Sequence, residues 1–182
     1  MAISVPVSAL FTEVSEAGVV VAATGRDHKS GLHSSLNRTE CDWDHFIPDF
    51  QLMVAHAKQV FNEEFLQDWH GFAFDGGVIK PLWMIACYCR EPVTRRDAIA
   101  LMRKVAAKEL FWDALVHASA CEVQLLSEEE GMDGTGFIPE SERFKIAEGL
   151  IDGLRRTGTI TIRKVGRRKD GSADERTFSL ML

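Results

Sequence analysis

The stretch "PLWMIACYC", Pro81 to Cys89, constrains this chain more than any other. From Leu82 to Cys89 the residues are apolar at every helical angle, so a helix here has no wet face and has to be enclosed by other elements. A short buried strand would also be apolar throughout. Met84, Ala86 and a proline tolerated in a first helical turn, where its missing N–H breaks no bond, favour the helix. Trp83, Ile85 and Cys89 are then expected to be nearly inaccessible to solvent. Cys87 and Cys89 are one residue apart, about 200° of helical rotation, which points the two thiols to opposite sides and makes them a poor metal-ligand pair.

The elements around this run follow from their spacing. Residues 1–37 lack a sustained period and include the polar, Gly/Ser-containing "TGRDHKSGLHSSLN", so they read as a loosely structured N-terminal arm. Residues 38–182 read as a single helical domain with a C-terminal β element. Phe50, Met53, Val54, Ala57 and Val60 predict a helix from about 47 to 63, with Pro48 near its start and Asp49 in its first turn. The segment 66–80 holds three glycines and reads as a structured loop. Ala98, Leu101, Met102 and Val105 make an amphipathic stripe that leaves Arg95, Arg96, Arg103 and Lys104 on the remaining surface. Phe111, Ala114, Leu115, Ala118, Cys121 and Leu125 predict a further helix over Lys108–Glu129, with Asp113, His117 and Gln124 on its wet side and Gly131 as its cap. "TGTITIRKV" and "ERTFSLML" alternate around an Asp-Gly pair, the pattern of a β-hairpin. Residues 142–154 fit a helix or a strand by pattern alone. The fold class is mainly α, a helical domain around a buried central helix with a short C-terminal antiparallel hairpin or small sheet.

With 182 residues and 46% apolar content the chain can build a core without staples. Its four cysteines show no framework spacing, which suits a reducing compartment. The N-terminus has no basic leader and no run reaches the roughly 18 apolar residues of a membrane span, so the expectation is a soluble, intracellular protein, nuclear or cytoplasmic. The net charge of −6 is uneven: residues 1–91 carry 6 basic against 12 acidic side chains, and the second half is balanced. A phosphate backbone would be repelled by the first half and not attracted by the second, which argues against direct nucleic-acid binding.

Candidate chemistry is sparse. Cys41, Asp42, Asp44 and His45 offer zinc-binding groups, but no second pair answers them, and a solvated helix entry explains them as well. No metal and no cofactor are assigned. Asp68, His70 and Asp75 flank the glycine loop with the minimum for acid–base work, against the plainer reading of Asp75 as a helix cap. Glu109 and Asp113 are four apart and would share one helical face as a carboxylate pair, or simply be solvated. The basic residues of 95–104 and Arg167, Arg168 and Lys169 lack the interleaved aromatics of a single-strand binder.

The segments "FAFDGGVIKPLWMIACYCREPVTRRDAIALM" and "KELFWDALVHASACEVQLLSEEEG" resemble the C-terminal domain of fungal-specific binuclear zinc-cluster transcription factors. The resemblance rests on Asp75, Gly77, Ile79, Pro81 and Leu82, then Cys89, Arg90 and Pro92, then Arg95, Arg96, Ala98 and Leu101, then Glu109, Trp112 and Asp113. It covers about residues 42–130, and a weaker likeness beyond it tips 144–151 toward strand. Asp75, Pro81, Cys89, Arg90, Arg95, Trp112 and Asp113 are its structural signature. Arg90 or Arg95 is expected to pair with Asp113 or Glu109 and so lock two helices, with Trp112 in the core.

The six-cysteine cluster, basic linker and coiled coil of those regulators are absent from this sequence, so their DNA-binding activity does not carry over. The resemblance implies a non-enzymatic regulatory or interaction domain acting through a protein partner or a small-molecule effector, with a homodimer compatible and no membrane involved. The alternative is a stand-alone, cofactor-free isomerase, cyclase or lyase of fungal secondary metabolism using His70, Asp75, His45 or Glu109 beside an apolar pocket. An enclosed pocket lined by those residues would favour the enzyme. A filled core with an exposed apolar patch would favour the interaction domain.

Overall fold

Helix α1 (Ile47–Val60) follows a 3-10 turn over Glu40–Phe46, begins with a proline in its first positions and carries Asp49 where the helix dipole is positive. Phe50, Met53, Val54 and Ala57 recur at helical spacing and are buried, and the Phe61 amide closes the end on the Ala57 carbonyl at 2.9 Å. Helix α2 (Ile79–Tyr88) contains the apolar run, with Pro81 in its first turn, and α3 (Pro92–Val105) follows after three residues. Helix α4 (Ala114–Glu129) is the longest of the described helices. The computed structural model describes residues 40–61, 72–73, 79–105, 108–109, 112–152, 155–167 and 172–181, and the proposed N-terminal arm lies outside them.

Ile85, Ala86 and Cys89 are fully buried, as an all-round apolar helix requires. Trp83 departs from the expectation: it and Tyr88 are only half-buried, because one flank of α2 forms the wall of a cleft. Indole and phenol rings suit such a position, apolar in body and polar at one atom.

The helix expected over Lys108–Glu129 begins only at Ala114. Before it, β2 (Lys108–Glu109) pairs in parallel with β1 (Phe72–Ala73) and antiparallel with β3 (Trp112–Asp113). Asp113 is the reason for the late start: its carboxylate accepts hydrogen bonds from the Leu115 and Val116 amides at 3.1 and 3.3 Å, which is the chemistry of an N-cap and not of a helix interior. At the other end the Gly131 amide bonds the Glu128 carbonyl at 3.2 Å.

The C-terminal segment forms a sheet of order β4-β5-β6, all antiparallel, from β4 (Phe144–Asp152), β5 (Thr157–Arg167) and β6 (Ala173–Met181). The ambiguous segment is therefore a strand, and the hairpin is part of a three-stranded sheet. Its Asp-Gly pair lies outside the described residues. Phe144, Ile160, Ile162 and Leu180 turn to one face and pack with Ala120 and Val123 of α4. The opposite face of α4, through Ala114, Ala118, Cys121 and Leu125, joins the core of α1, α2 and α3. Ile146 touches both clusters, so helices and sheet share one continuous interior.

Gly158 sits at a close approach between β4 and β5, where an added Cβ would lie 2.6 Å from the Leu150 carbonyl oxygen and 2.5 Å from Ile151 Cδ1. Backbone cannot yield as a flexible side chain can, so Gly158→Ala is expected to cost about 1–3 kcal/mol in urea unfolding. Gly166→Ala, with nothing within 4 Å of its Cβ, should change stability by no more than about 0.5 kcal/mol.

Candidate functional site

Among the described residues three places stand out: a buried ion network, the aromatic cleft beside α2 and the apolar far end of the sheet. The network centres on Glu128, which lies on the inward stripe of α4 at 0% exposure. One carboxylate oxygen accepts from Arg95 Nη1 and from Arg143 Nη1, the latter at 2.8 Å. The other accepts from Gln124 Nε2 at 3.0 Å and from the Phe144 amide at 2.8 Å. Arg95 and Arg143 are also 0% exposed, so two buried cations face one buried anion.

The carbonyls at the end of α2 balance the excess positive charge. A helix leaves its last carbonyls without intrahelical partners, at the negative end of its dipole. Here Arg95 Nε donates to Ala86 O at 2.6 Å, and Cys87 O accepts from Arg143 Nη2 and from Gln124 Nε2. Arg143 Nη1 reaches Cys89 O at 3.4 Å. The network thereby caps α2, anchors α3, and ties α4 to the first residue of β4.

This arrangement corrects several sequence expectations. Arg95 is not on the solvated face, and its partner is Glu128 instead of Asp113 or Glu109. Gln124 is not on the wet side of α4 but is 2% exposed. Arg90 binds Asp44 in a two-pronged contact, Nε to Oδ1 at 2.8 Å and Nη2 to Oδ2 at 2.6 Å, which raises the arginine pKa through the hydrogen bond to Asp44. That contact fixes the 3-10 turn to the end of α2, and it takes Asp44 away from the Cys41, Asp42, Asp44 and His45 set. Cys41 Sγ faces Glu140 at 3.6 Å, and His45 is exposed with its ring against Phe46. No group of three or more metal-binding side chains is found among the described residues.

Glu109 and Asp113 do not share a helical face, because they stand on the paired strands β2 and β3, with Lys108 opposite Asp113. The Trp112 and Glu109 side chains, and Asp68, His70 and Asp75 altogether, lie outside the described residues. Pro81 is half-buried in the first turn of α2. Cys89 is buried just past the helix end, and that burial pushes its thiol up to about 11. The other basic residues of α3 are engaged: Arg96 with Glu129, Arg103 with Glu122, and Lys104 with the Phe61 carbonyl at 2.9 Å.

The cleft has a volume of about 170 Å³ and is lined by Trp83, Cys87, Tyr88, Gln124, Phe144, Lys145 and Ile146. Tyr88 stacks on Trp43 with centroids 4.8 Å apart and meets the Trp83 ring edge-on at 6.2 Å, so the aromatic wall is held from behind. The Phe144 ring carries the Arg176 guanidinium over it at 5.0 Å. The third place, a shallow depression of about 610 Å³ at the far end of the sheet, runs over Leu150, Ile151, Thr157, Gly158 and Met181. Leu150 is 63% and Met181 90% exposed. The register Leu150↔Thr159↔Ser179 and Asp152↔Thr157↔Met181 places these two side chains on the same, outer face.

Glu128 and Gln124 were missed by sequence reasoning although a signal existed. Cys121, Leu125 and Glu128 continue one helical stripe, and a charge on that stripe has to be buried with a partner. No helix among the described residues is long and apolar enough to cross a membrane. Comparison with protein-family models, with curated proteins and with solved structures finds no match to this chain.

Glu128→Ala leaves two guanidinium groups buried without their anion and is expected to destabilise the fold by about 3–5 kcal/mol in chemical denaturation. Asp113→Ala removes the cap of α4 and should cost about 1 kcal/mol, seen as a modest fall in melting temperature.

Proposed function

We propose that this chain is a non-enzymatic interaction domain of the regulatory kind that its sequence resembles, the C-terminal region of fungal zinc-cluster transcription regulators, and that it works by contact with a protein partner. The observation that carries the reading is the apolar end of the sheet. Leu150 and Met181 stand exposed on the outer face of the sheet, whereas Phe144, Ile160, Ile162 and Leu180 of the same strands turn inward against α4. A cluster of large apolar side chains held out on rigid strands costs hydration energy in the isolated chain, and a partner that covers it recovers that energy.

Two further features support a protein partner over nucleic acid. The basic side chains of α3 are matched by the carboxylates of α4, which leaves little field for a phosphate backbone. Among the described strands β4 and β6 stand at the two edges of the sheet and flank the apolar patch, where an incoming strand could extend the pairing.

The test is differential capture from fungal nuclear extract with the wild-type chain and with Leu150→Glu/Met181→Glu. Both positions are exposed, so the double variant should melt within a few degrees of wild type. A partner recovered by wild type and lost by the variant supports the reading. Equal recovery by both, or tight binding of the chain to duplex DNA at moderate salt, overturns it.

A further inference from the structure

We infer that Cys87 and Cys121 are a redox-modified pair, which a peroxide converts into a disulfide joining α2 to α4. The two sulfurs lie 3.6 Å apart in the interior, although the residues are 34 positions apart in sequence. A disulfide needs about 2.05 Å between sulfurs, so both side chains only have to swing toward each other within their existing contact. The thiol on the other side of the helix end, Cys89, is not part of the pair: its Sγ faces the Glu91 carbonyl at 3.8 Å.

Access separates the two roles. Cys87 is 7% exposed and forms part of the cleft wall between Trp83 and Phe144, whereas Cys121 is 0% exposed behind it. An oxidant that enters the cleft therefore meets Cys87 first. Burial holds the Cys121 thiol well above the usual thiol range, with the neighbouring Cys87 adding to it, so Cys121 is protonated and inert toward small oxidants on its own. Cys87 is the attacking thiol and Cys121 the resolving one.

The chemistry closes without further reagents. The Cys87 sulfur, having lost its proton, attacks one oxygen of hydrogen peroxide; the S–O bond forms, the O–O bond breaks, and the departing hydroxide takes up that proton as water. The Cys121 sulfur then attacks the sulfur of the sulfenic acid. The S–S bond forms, the S–O bond breaks, and the Cys121 proton leaves with the hydroxide as a second water. Two thiols lose two electrons and the peroxide gains them. The bond falls beside the Cys87 carbonyl, which holds Arg143 and Gln124. Oxidation thus clamps the end of α2 to α4 at the point from which β4 is positioned.

The folded wild-type chain is exposed to hydrogen peroxide, quenched with catalase, unfolded in the presence of iodoacetamide and digested. The expected result is loss of two hydrogens from the intact mass, a cross-linked peptide pair containing Cys87 and Cys121, reversal by dithiothreitol, and a higher melting temperature for the oxidised form. Cys41→Ser should cross-link as wild type does. In Cys121→Ser the sulfenic acid on Cys87 should persist and be trapped by dimedone. If Cys121→Ser does not fold, the wild-type mass measurement decides alone. Recovery of both Cys87 and Cys121 as carbamidomethyl cysteine, or oxidation confined to Cys41, overturns the inference.

Discussion

One carboxylate organises this fold. Glu128 accepts hydrogen bonds from two arginines, a glutamine and a main-chain amide, and each of these groups belongs to a different neighbour of α4 or to α4 itself. A buried ion is tolerable only when its lone pairs are filled, and here they are. The surplus cation is tolerable because it sits against carbonyls that α2 could not bond internally. A set of apolar residues of similar volume can match such a network in stability, but it cannot say which helix end meets which strand. What the ions supply is orientation.

That orientation lets α4 be buried on two sides. Its small residues, Ala114, Ala118 and Ala120, bring it close to neighbours on both faces, and its polar ones, Gln124 and Glu128, are spent inside the protein. Such a helix shows little amphipathic contrast, although it is the most central after α2. The aromatic stack of Trp43 on Tyr88 and the Asp44–Arg90 pair do for the 3-10 turn what Glu128 does for the sheet. In both cases the end of α2 is the fixed point.

Much of this was legible in the amino-acid sequence, and the failures have a shared physical cause. The apolar run of α2, the stripes of α1 and α3 and the alternation of β5 and β6 reflect local periodicity, which a pattern contains in full. Arg95 and Gln124 were misplaced because polarity was equated with exposure, although Arg95 stands three residues before Ala98 on the inward stripe of α3. The late start of α4 hinges on Asp113 acting as a cap and on β2 pairing with β1, a contact between distant segments that no local window contains. Arg90 was expected to pair with Asp113 or Glu109, but its partner Asp44 is 46 residues away and nothing in spacing could select it. The apolar end of the sheet was invisible for the same reason, since Leu150 and Met181 come to one face only once three strands are in register.

The first residue of β4 has a further consequence. Phe144 gives its amide to Glu128 and receives Gln124 at its carbonyl, at 2.8 Å each, so two side chains of a helix occupy the main-chain positions that a neighbouring strand would use. An open sheet edge is a template for any extended chain, including another copy in a crowded or partly unfolded population. α4 thus occupies the edge of β4 where the strand leaves the core and closes it there to strand addition. The same carboxylate that orders the interior therefore also seals the inner end of the β4 edge, so that burying one ion and blocking one template for aggregation are a single device.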